Sequence, residues 1–323
     1  MAVPANTVQT DDVSASNRED IVEAIYNIDP WETPFLSMAQ RVKATATNHE
    51  WVTDTLSAAA TNIQIEGDDA TAIATTTPAK LNNYTQISDK VVSVSRTQRS
   101  IDSVGRADEL AYQISKEGKS LKLDMEYALV REQASSAGGA ATARASAGLE
   151  GWLATNKTSV GTGTAQTTPG HSGTTVAAPT DSTVLGALTK AALDDIIQKC
   201  WTQGGNPTEI MCGPFNRGAI SGFTGISQLQ TPASPDAAVT MIGAIDFYKS
   251  NFGTLKVTPS RVQRDETVFI LDMDYLSVAF IDDMVMHDLA KTGDSDKYQM
   301  VSEFCLQVSN ESACGKVTDC TTS

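Results

Sequence analysis

Residues 106 to 134 constrain this chain more than any other stretch. Leu110, Ile114, Leu121, Met125 and Leu129 recur at helical spacing on one side. Lys116, Glu117, Lys119, Lys122 and Glu126 fall on the other. Gly118 stands where the apolar series skips a position, which suits a close crossing that needs no side chain. At about 1.5 Å per residue, such a helix is roughly 40 Å long. It is a strut, and its apolar side must be covered by other parts of the chain.

Two strand-like regions can supply that cover. "NHEWVTDTL" (48 to 56) and "YTQISDKVVSVS" (84 to 95) read as strands joined by a long polar stretch of small residues, an extended hairpin. A lone two-stranded hairpin is marginal in water, so it must lean on a neighbour. In "KYQMVSEFCLQVSN" near the end, Tyr298, Met300, Phe304, Leu306 and Val308 share one face of a strand, and Gln299, Glu303 and Gln307 the other. Between these lies a compact block. Leu188, Ala192, Leu193, Ile196, Ile197, Cys200 and Trp201 make an amphipathic helix with Thr189 as N-cap, stopped by Gly204 and Gly205. "TEIMC" is a buried strand, and "GPFNRGAISGF" a helix with Gly213 as cap and Pro214 first. Residues 245 to 260 form a hairpin turning near Asn251 to Gly253, and "TVFILD" and "LSVAFID" are β-rich. Residues 135 to 182 are rich in Ala, Gly, Ser and Thr, with Trp152 as an anchor in a small inserted element. Helices and antiparallel strands are segregated, so the class is α+β.

The chain opens differently. Residues 1 to 17 are small and polar. From 18 to 41, the apolar run Ile21, Val22, Ala24, Ile25, Tyr26 leads into Pro30 and Pro34, with Trp31 and Phe35 after them. Each proline pushes the residue before it, Asp29 or Thr33, towards an extended form. A short helix follows Pro34 and ends near Arg41. The segment suits an arm lying across something else, with Trp31 and Phe35 buried against the body or a neighbouring subunit.

The formal net charge of −15 excludes a reader of nucleic acid, which needs a basic patch, but not a container for it. Like charge also keeps subunits apart before they assemble. Hydrophobic content of 41% is ordinary for a folded chain. No apolar run is long enough to cross a bilayer, and the first twenty residues lack the basic-then-apolar pattern of a secretory signal, which leads to the expectation of a chain that is cytosolic or released by a route other than secretion. Cys200, Cys212, Cys305, Cys314 and Cys320 read as free thiols, with Cys314 and Cys320 near enough in sequence to leave a disulfide open.

A search for chemistry finds little. The phosphate-loop, dinucleotide and nucleophile-elbow motifs are absent. His49, His171 and His287 stand in no metal-ligand spacing. Asp272 and Asp274 form a carboxylate pair that a metal-dependent enzyme could use, but turn chemistry explains them as well, and Asp282-Asp283 reads as a turn. "TGDSDK" lacks the glycine and closing glutamate of a calcium loop. No catalytic, cofactor-binding or metal-binding residue is assigned, no cofactor is expected, and the chain does not read as an enzyme. Two other readings stand beside a shell protein: a secreted or surface β-rich adhesin, from the Ser/Thr/Gly tracts though without a signal sequence, and the metal-dependent enzyme using Asp272 and Asp274.

The order of elements resembles the major capsid proteins of tailed double-stranded DNA bacteriophages (Caudoviricetes), the Hong Kong ninety-seven phage fold also used in the herpesvirus capsid floor. "NREDIVEAIYNIDPWETPF", "ATNHEWVTDTL", "NYTQISDKVVSVSRTQ", "GRADELAYQISKEGKSLKLDME", "QGGNPTEIMCGPFN", "SGFTG", "FGTLKVTP" and "LAKTGDSDKYQMVSEFCLQVSNESACGKV" resemble, in order, a podovirus-associated major head protein family across residues 18 to 317. The resemblance implies an N-terminal arm (1–47), an extended loop that overlaps the next subunit (48–95), a peripheral domain with the spine helix (96–185 and 291–323) and an axial domain (186–290). It implies self-assembly into pentamers and hexamers of an icosahedral head enclosing double-stranded DNA without sequence-specific binding or membrane contact. The implied partners are a portal protein at one vertex and a decoration protein. The short polar leader adds the expectation of a separate scaffolding protein. The implied location is the virion, with the host cytoplasm during assembly. Some shells of this fold join neighbours by an isopeptide bond between a loop lysine and a peripheral-domain asparagine, aided by a buried glutamate. The candidates here are Lys80, Lys90 and Asn310. Lys80 lies in a polar tract and Lys90 beside Asp89; both settings favour the charged ammonium, so no crosslink is expected.

Overall fold

The computed structural model describes residues 32–69, 72, 75–101, 108–223 and 246–322. Pro30, Trp31, the earlier part of the arm and the polar leader lie outside the described residues. The chain runs α1 (Pro34–Met38), β1 (Gln40–Lys43), β2 (Asn48–Thr53), β3 (Ala79–Tyr84), β4 (Gln86–Ser95), α2 (Arg96–Ser100) and α3 (Glu109–Val130). It continues through α4 (Leu149–Trp152), β5 (Lys157–Ser159), β6 (His171–Ser172), β7 (Thr175–Val176), α5 (Lys190–Thr202), β8 (Glu209–Cys212) and α6 (Pro214–Ser221). It ends with β9 (Phe247–Lys249), β10 (Thr254–Pro259), β11 (Val268–Leu271), β12 (Leu276–Leu289), β13 (Ser295–Val308) and β14 (Gly315–Thr318).

Two sheets organise these elements. One has four strands in the order β1-β12-β13-β4, and the other six in the order β5-β14-β11-β8-β10-β9. The strut is α3, capped by the Asp108 side chain, which accepts the Leu110 N–H. Its apolar side is Leu110, Leu121, Met125 and Leu129, all buried in one core with Val92 and Val94 of β4 and Phe304, Leu306 and Val308 of β13. A second core gathers Leu193, Ile196, Ile197 and Cys200 of α5 against Ile210, Val257, Ile270 and Val317 of the six-stranded sheet. Both cores are apolar faces that helical or strand periodicity already marks, brought face to face.

Several expectations need correction. The helix after Pro34 is shorter than expected. It stops at Met38, and Gln40–Lys43 form β1, parallel to β12 with Gln40 opposite Ser277. An exposed sheet edge offers those residues backbone partners that a helix end does not. The extended hairpin pairs Asn48–Thr53 with Ala79–Tyr84, so of the expected second strand, 84 to 95, only Tyr84 belongs to it. The chain changes sheets at Thr85, which is fully buried: its N–H donates to Thr47 O at 2.9 Å and its hydroxyl to Glu303 Oε1 at 2.6 Å. Gln86 then begins a ten-residue pairing with β13. Asp282 and Asp283 are not a turn. They lie in the 14-residue β12, where an irregularity between Phe280 and Val285 absorbs them while β13 runs on as a continuous template. The strands are also not all antiparallel, since β1/β12, β8/β10 and β5/β14 are parallel pairs.

The strut differs in two ways. Glu126, expected on its polar side, has no solvent exposure. Gly118 is not demanded by a close crossing: a Cβ there would meet the Met300 sulfur at an ordinary 3.8 Å. In α5, Trp201 is 56% exposed rather than in the apolar face, with its ring 5.3 Å from that of Phe252. The stop at Gly204 holds, with φ of +92°, a backbone conformation that favours glycine. All five cysteines, Cys314 and Cys320 included, are free and buried.

The sheets draw strands from across the expected boundaries at 185/186 and 290/291. β12 joins β13 in the four-stranded sheet, while β5 and β14 join β11 and β8 in the six-stranded one.

Candidate assembly surfaces

Between β2 and β3, three apolar side chains of the described residues face solvent. Leu56 is 99% exposed, Ile63 83% and Ile65 79%. Single exposed apolar residues are unremarkable, but three in one connecting segment, none covered by the described residues, mark it as a candidate contact surface.

The root of the hairpin is fixed tightly. Trp51 Nε1 donates to Val308 O at 3.0 Å. Its ring lies 5.5 Å from that of Trp152, on which His171 stacks at 5.4 Å. Buried Asn83 donates to Leu306 O at 2.7 Å and Ser146 Oγ at 3.2 Å, and accepts the Ala147 N–H at 2.9 Å. His49 is within hydrogen-bonding distance of Gln307, 2.9 Å away. Two of the three histidines therefore serve packing, while His287 is exposed on β12. Trp152 acts as the expected anchor, with 1% exposure.

On the other side of the same core sits α1. Phe35 is fully buried in it, as expected for an arm anchor. The preceding Thr33 makes no side-chain cap, and Pro34 has no N–H. The orphan donors of this short helix are satisfied from α3: Glu126 Oε1 accepts the Phe35 N–H and Oε2 the Leu36 N–H, each at 2.8 Å. Burial pushes this carboxyl up to about 7, although both N–H groups pull it down. Helical periodicity placed Glu126 on the polar side, and only its contact with α1 explains it.

The residues considered for chemistry have structural partners. Asp272 is buried; Oδ1 accepts the Asp274 N–H at 3.2 Å and Oδ2 the Asn206 N–H at 2.9 Å, so it caps a turn. Lys80 pairs with Glu50 across the hairpin and is 63% exposed. Lys90 pairs with Asp124 of α3 at 2.7 Å, and that hydrogen bond is the main reason its ammonium is held above the usual lysine range. Its neighbour Asp89 instead accepts from Gln299 at 2.8 Å. Asn310 Oδ1 accepts the Ser312 N–H at 3.1 Å. Burial pushes the thiols of Cys200, Cys212, Cys305 and Cys320 up to about 12, which leaves them unreactive at neutral pH.

Two polar clusters carry no signal in the sequence, because their members are far apart in it. Among the described residues, Glu132, Glu150 and Asp181 bring carboxylate oxygens within 4.8 Å of one another. The Arg264 guanidinium answers them, pairing with Glu132, with Asp181 at 2.5 Å and with Glu266. Beside them, buried Lys316 donates to Glu150 O at 2.7 Å, Gln166 Oε1 at 2.8 Å and Thr168 Oγ1 at 2.8 Å. Glu150 and Lys316 lie in the interior, while Glu132 and Asp181 reach the surface. Among the described residues, no helix is long and apolar enough to cross a membrane.

Comparison with known proteins agrees with this layout. The chain matches the family described as SU10 major capsid protein over residues 4–321. The major capsid protein of Escherichia phage Phieco32 is 37% identical over 108 residues, which span 33% of this chain and 31% of that protein's length. The cyanophage A-1(L) capsid asymmetric unit superposes with a TM-score of 0.68 at 14% identity, covering 98% of this chain and all of that one. The capsid of a native GTA particle gives 0.64 at 10% identity, with the same coverage.

Proposed function

Since the chain belongs to the SU10 major capsid protein family, we propose that it is the repeating unit of a phage head, a shell of pentamers and hexamers enclosing double-stranded DNA. Its fold is the α+β Hong Kong ninety-seven phage capsid fold, common to the capsid structures it superposes on. The family match across 4–321 carries the reading. The geometry supports it: a tip of exposed apolar residues on a root locked to the core is what an overlap between subunits requires. In this reading residues 1–47 are the arm, 48–95 the loop that laps a neighbour, 96–185 and 291–323 the peripheral part, and 186–290 the axial part.

The protein works by binding copies of itself, not by catalysis. A separate scaffolding protein, a portal protein and a decoration protein are the partners of such a shell. The subunit resides in the virion after assembly in the host cytoplasm. Light scattering coupled to sizing, with negative-stain microscopy of the same fractions, tests the proposal. Closed shells, or pentamers and hexamers, are expected. A stable monomer at every concentration would overturn it.

A further inference from the structure

We propose that Glu126 is a proton-fastened latch that holds α1 on the spine helix α3. The inference goes beyond the shell-building reading and does not depend on it. Its basis is geometric. The carboxylate has no solvent exposure and reaches 91 residues back along the chain to bind both free N–H groups of α1, each at 2.8 Å. Thr33 contributes no side-chain cap and Pro34 no donor, so those two bonds complete the helix start that Phe35 and Leu36 anchor in the core.

Among the described residues no neutralising partner stands beside the buried carboxylate; the causes acting on it are burial and the two N–H groups. Charged groups on the surrounding elements are engaged elsewhere or face water. On α3, Asp124 pairs with Lys90 of β4, Lys122 is exposed, and Arg131 lies over the Tyr127 ring and donates to Val262 O. Glu132 pairs with Arg264. Before α1, Glu32 pairs with Arg261 at 3.7 Å, and after it Arg41 pairs with Asp283 at 2.6 Å.

The direction follows from linkage. With α1 seated, the carboxyl titrates near 7; with α1 lifted and Glu126 in water, it returns towards the ordinary glutamate range. The seated form thus binds the proton more tightly. Seating is strongest at low pH and weakens as pH rises through about 7. Between pH 8.5 and pH 6 the seat should tighten about tenfold.

Hydrogen exchange of the full chain, followed by mass spectrometry on a peptide spanning Phe35 and Leu36 and corrected for intrinsic exchange, tests this. Protection of that peptide should be about tenfold higher at pH 6 than at pH 8.5. Glu126→Gln, neutral at every pH, should flatten the response to less than about twofold, and Glu126→Asp should retain it. A flat wild-type response overturns the latch, as does an unchanged response in Glu126→Gln. Should Glu126→Gln lose its folded circular-dichroism signal, wild type and Glu126→Asp decide: a shared pH response supports the latch, and flat protection in both refutes it.

Discussion

Asn83 shows how one side chain can join parts of the chain that sequence keeps apart. Its amide links the hairpin root to the 146–147 loop and to β13, using both donor and acceptor ends. A buried donor or acceptor left unpaired costs about 1–3 kcal/mol. Asn83→Ala should therefore lower unfolding free energy by about 2–4 kcal/mol, seen as a lower urea midpoint with an unchanged slope. Asn83→Asp should be worse, because a carboxylate oxygen would face the Leu306 carbonyl in place of the donor. A polar residue in a strand normally reads as solvent-facing, so nothing in the local pattern identifies Asn83. Only the loop that closes over it does.

At the scale of elements, the spine helix and the hairpin behave oppositely. The α3 helix is legible from sequence because its apolar spacing and its Asp108 cap are local. It carries one removable weakness, Gly118, where a Cβ has ordinary room. Gly118→Ala should stabilise the protein by about 0.8–1.0 kcal/mol, measured as a raised melting temperature, since glycine is the poorer helix former by that amount. The pattern of the hairpin alone points to the wrong second strand. Residues 79–84 and 86–95 are nearly continuous in pattern, and the switch of sheet at Thr85 depends on Thr47 and Glu303, distant in sequence. Its tip carries the most exposed large apolar side chains among the described residues. Changing Leu56, Ile63 and Ile65 together to Ser should leave the subunit's melting temperature within about 1 °C, since surface changes away from packing sites are nearly neutral. Shell yield, counted by negative-stain microscopy, should fall steeply.

For the molecule as a whole, charge governs approach and packing governs closure. Subunits with a net charge of −15 repel one another over roughly 10 Å at 0.1 M salt. Assembly followed by light scattering should therefore accelerate as ionic strength rises. A rate independent of salt would exclude the electrostatic account. No covalent weld should follow. Lys80 pairs with Glu50, Lys90 pairs with Asp124, which holds its ammonium above the usual lysine range, and Asn310 caps a turn. Boiled, reduced particles should run as a single band near 34.3 kDa rather than a ladder of multiples.

The sequence alone determined the spine helix, the amphipathic α5 with its Thr189 cap and Gly204 stop, the alternating tail strand and the anchoring of Phe35 and Trp152. Each follows from spacing, capping or bulk within one segment, which is local physics. Eight ordered stretches also carried the family. Tertiary structure decided what has no local cause. It turned Gln40–Lys43 into a strand by offering them the edge of β12. It drew Asp282 and Asp283 into β12 because β13 continues beside them. It buried Glu126 against α1, whose Phe35 and Leu36 N–H groups its carboxylate accepts. Backbone hydrogen bonds must be completed wherever water is excluded, and which groups complete them depends on what the fold places alongside.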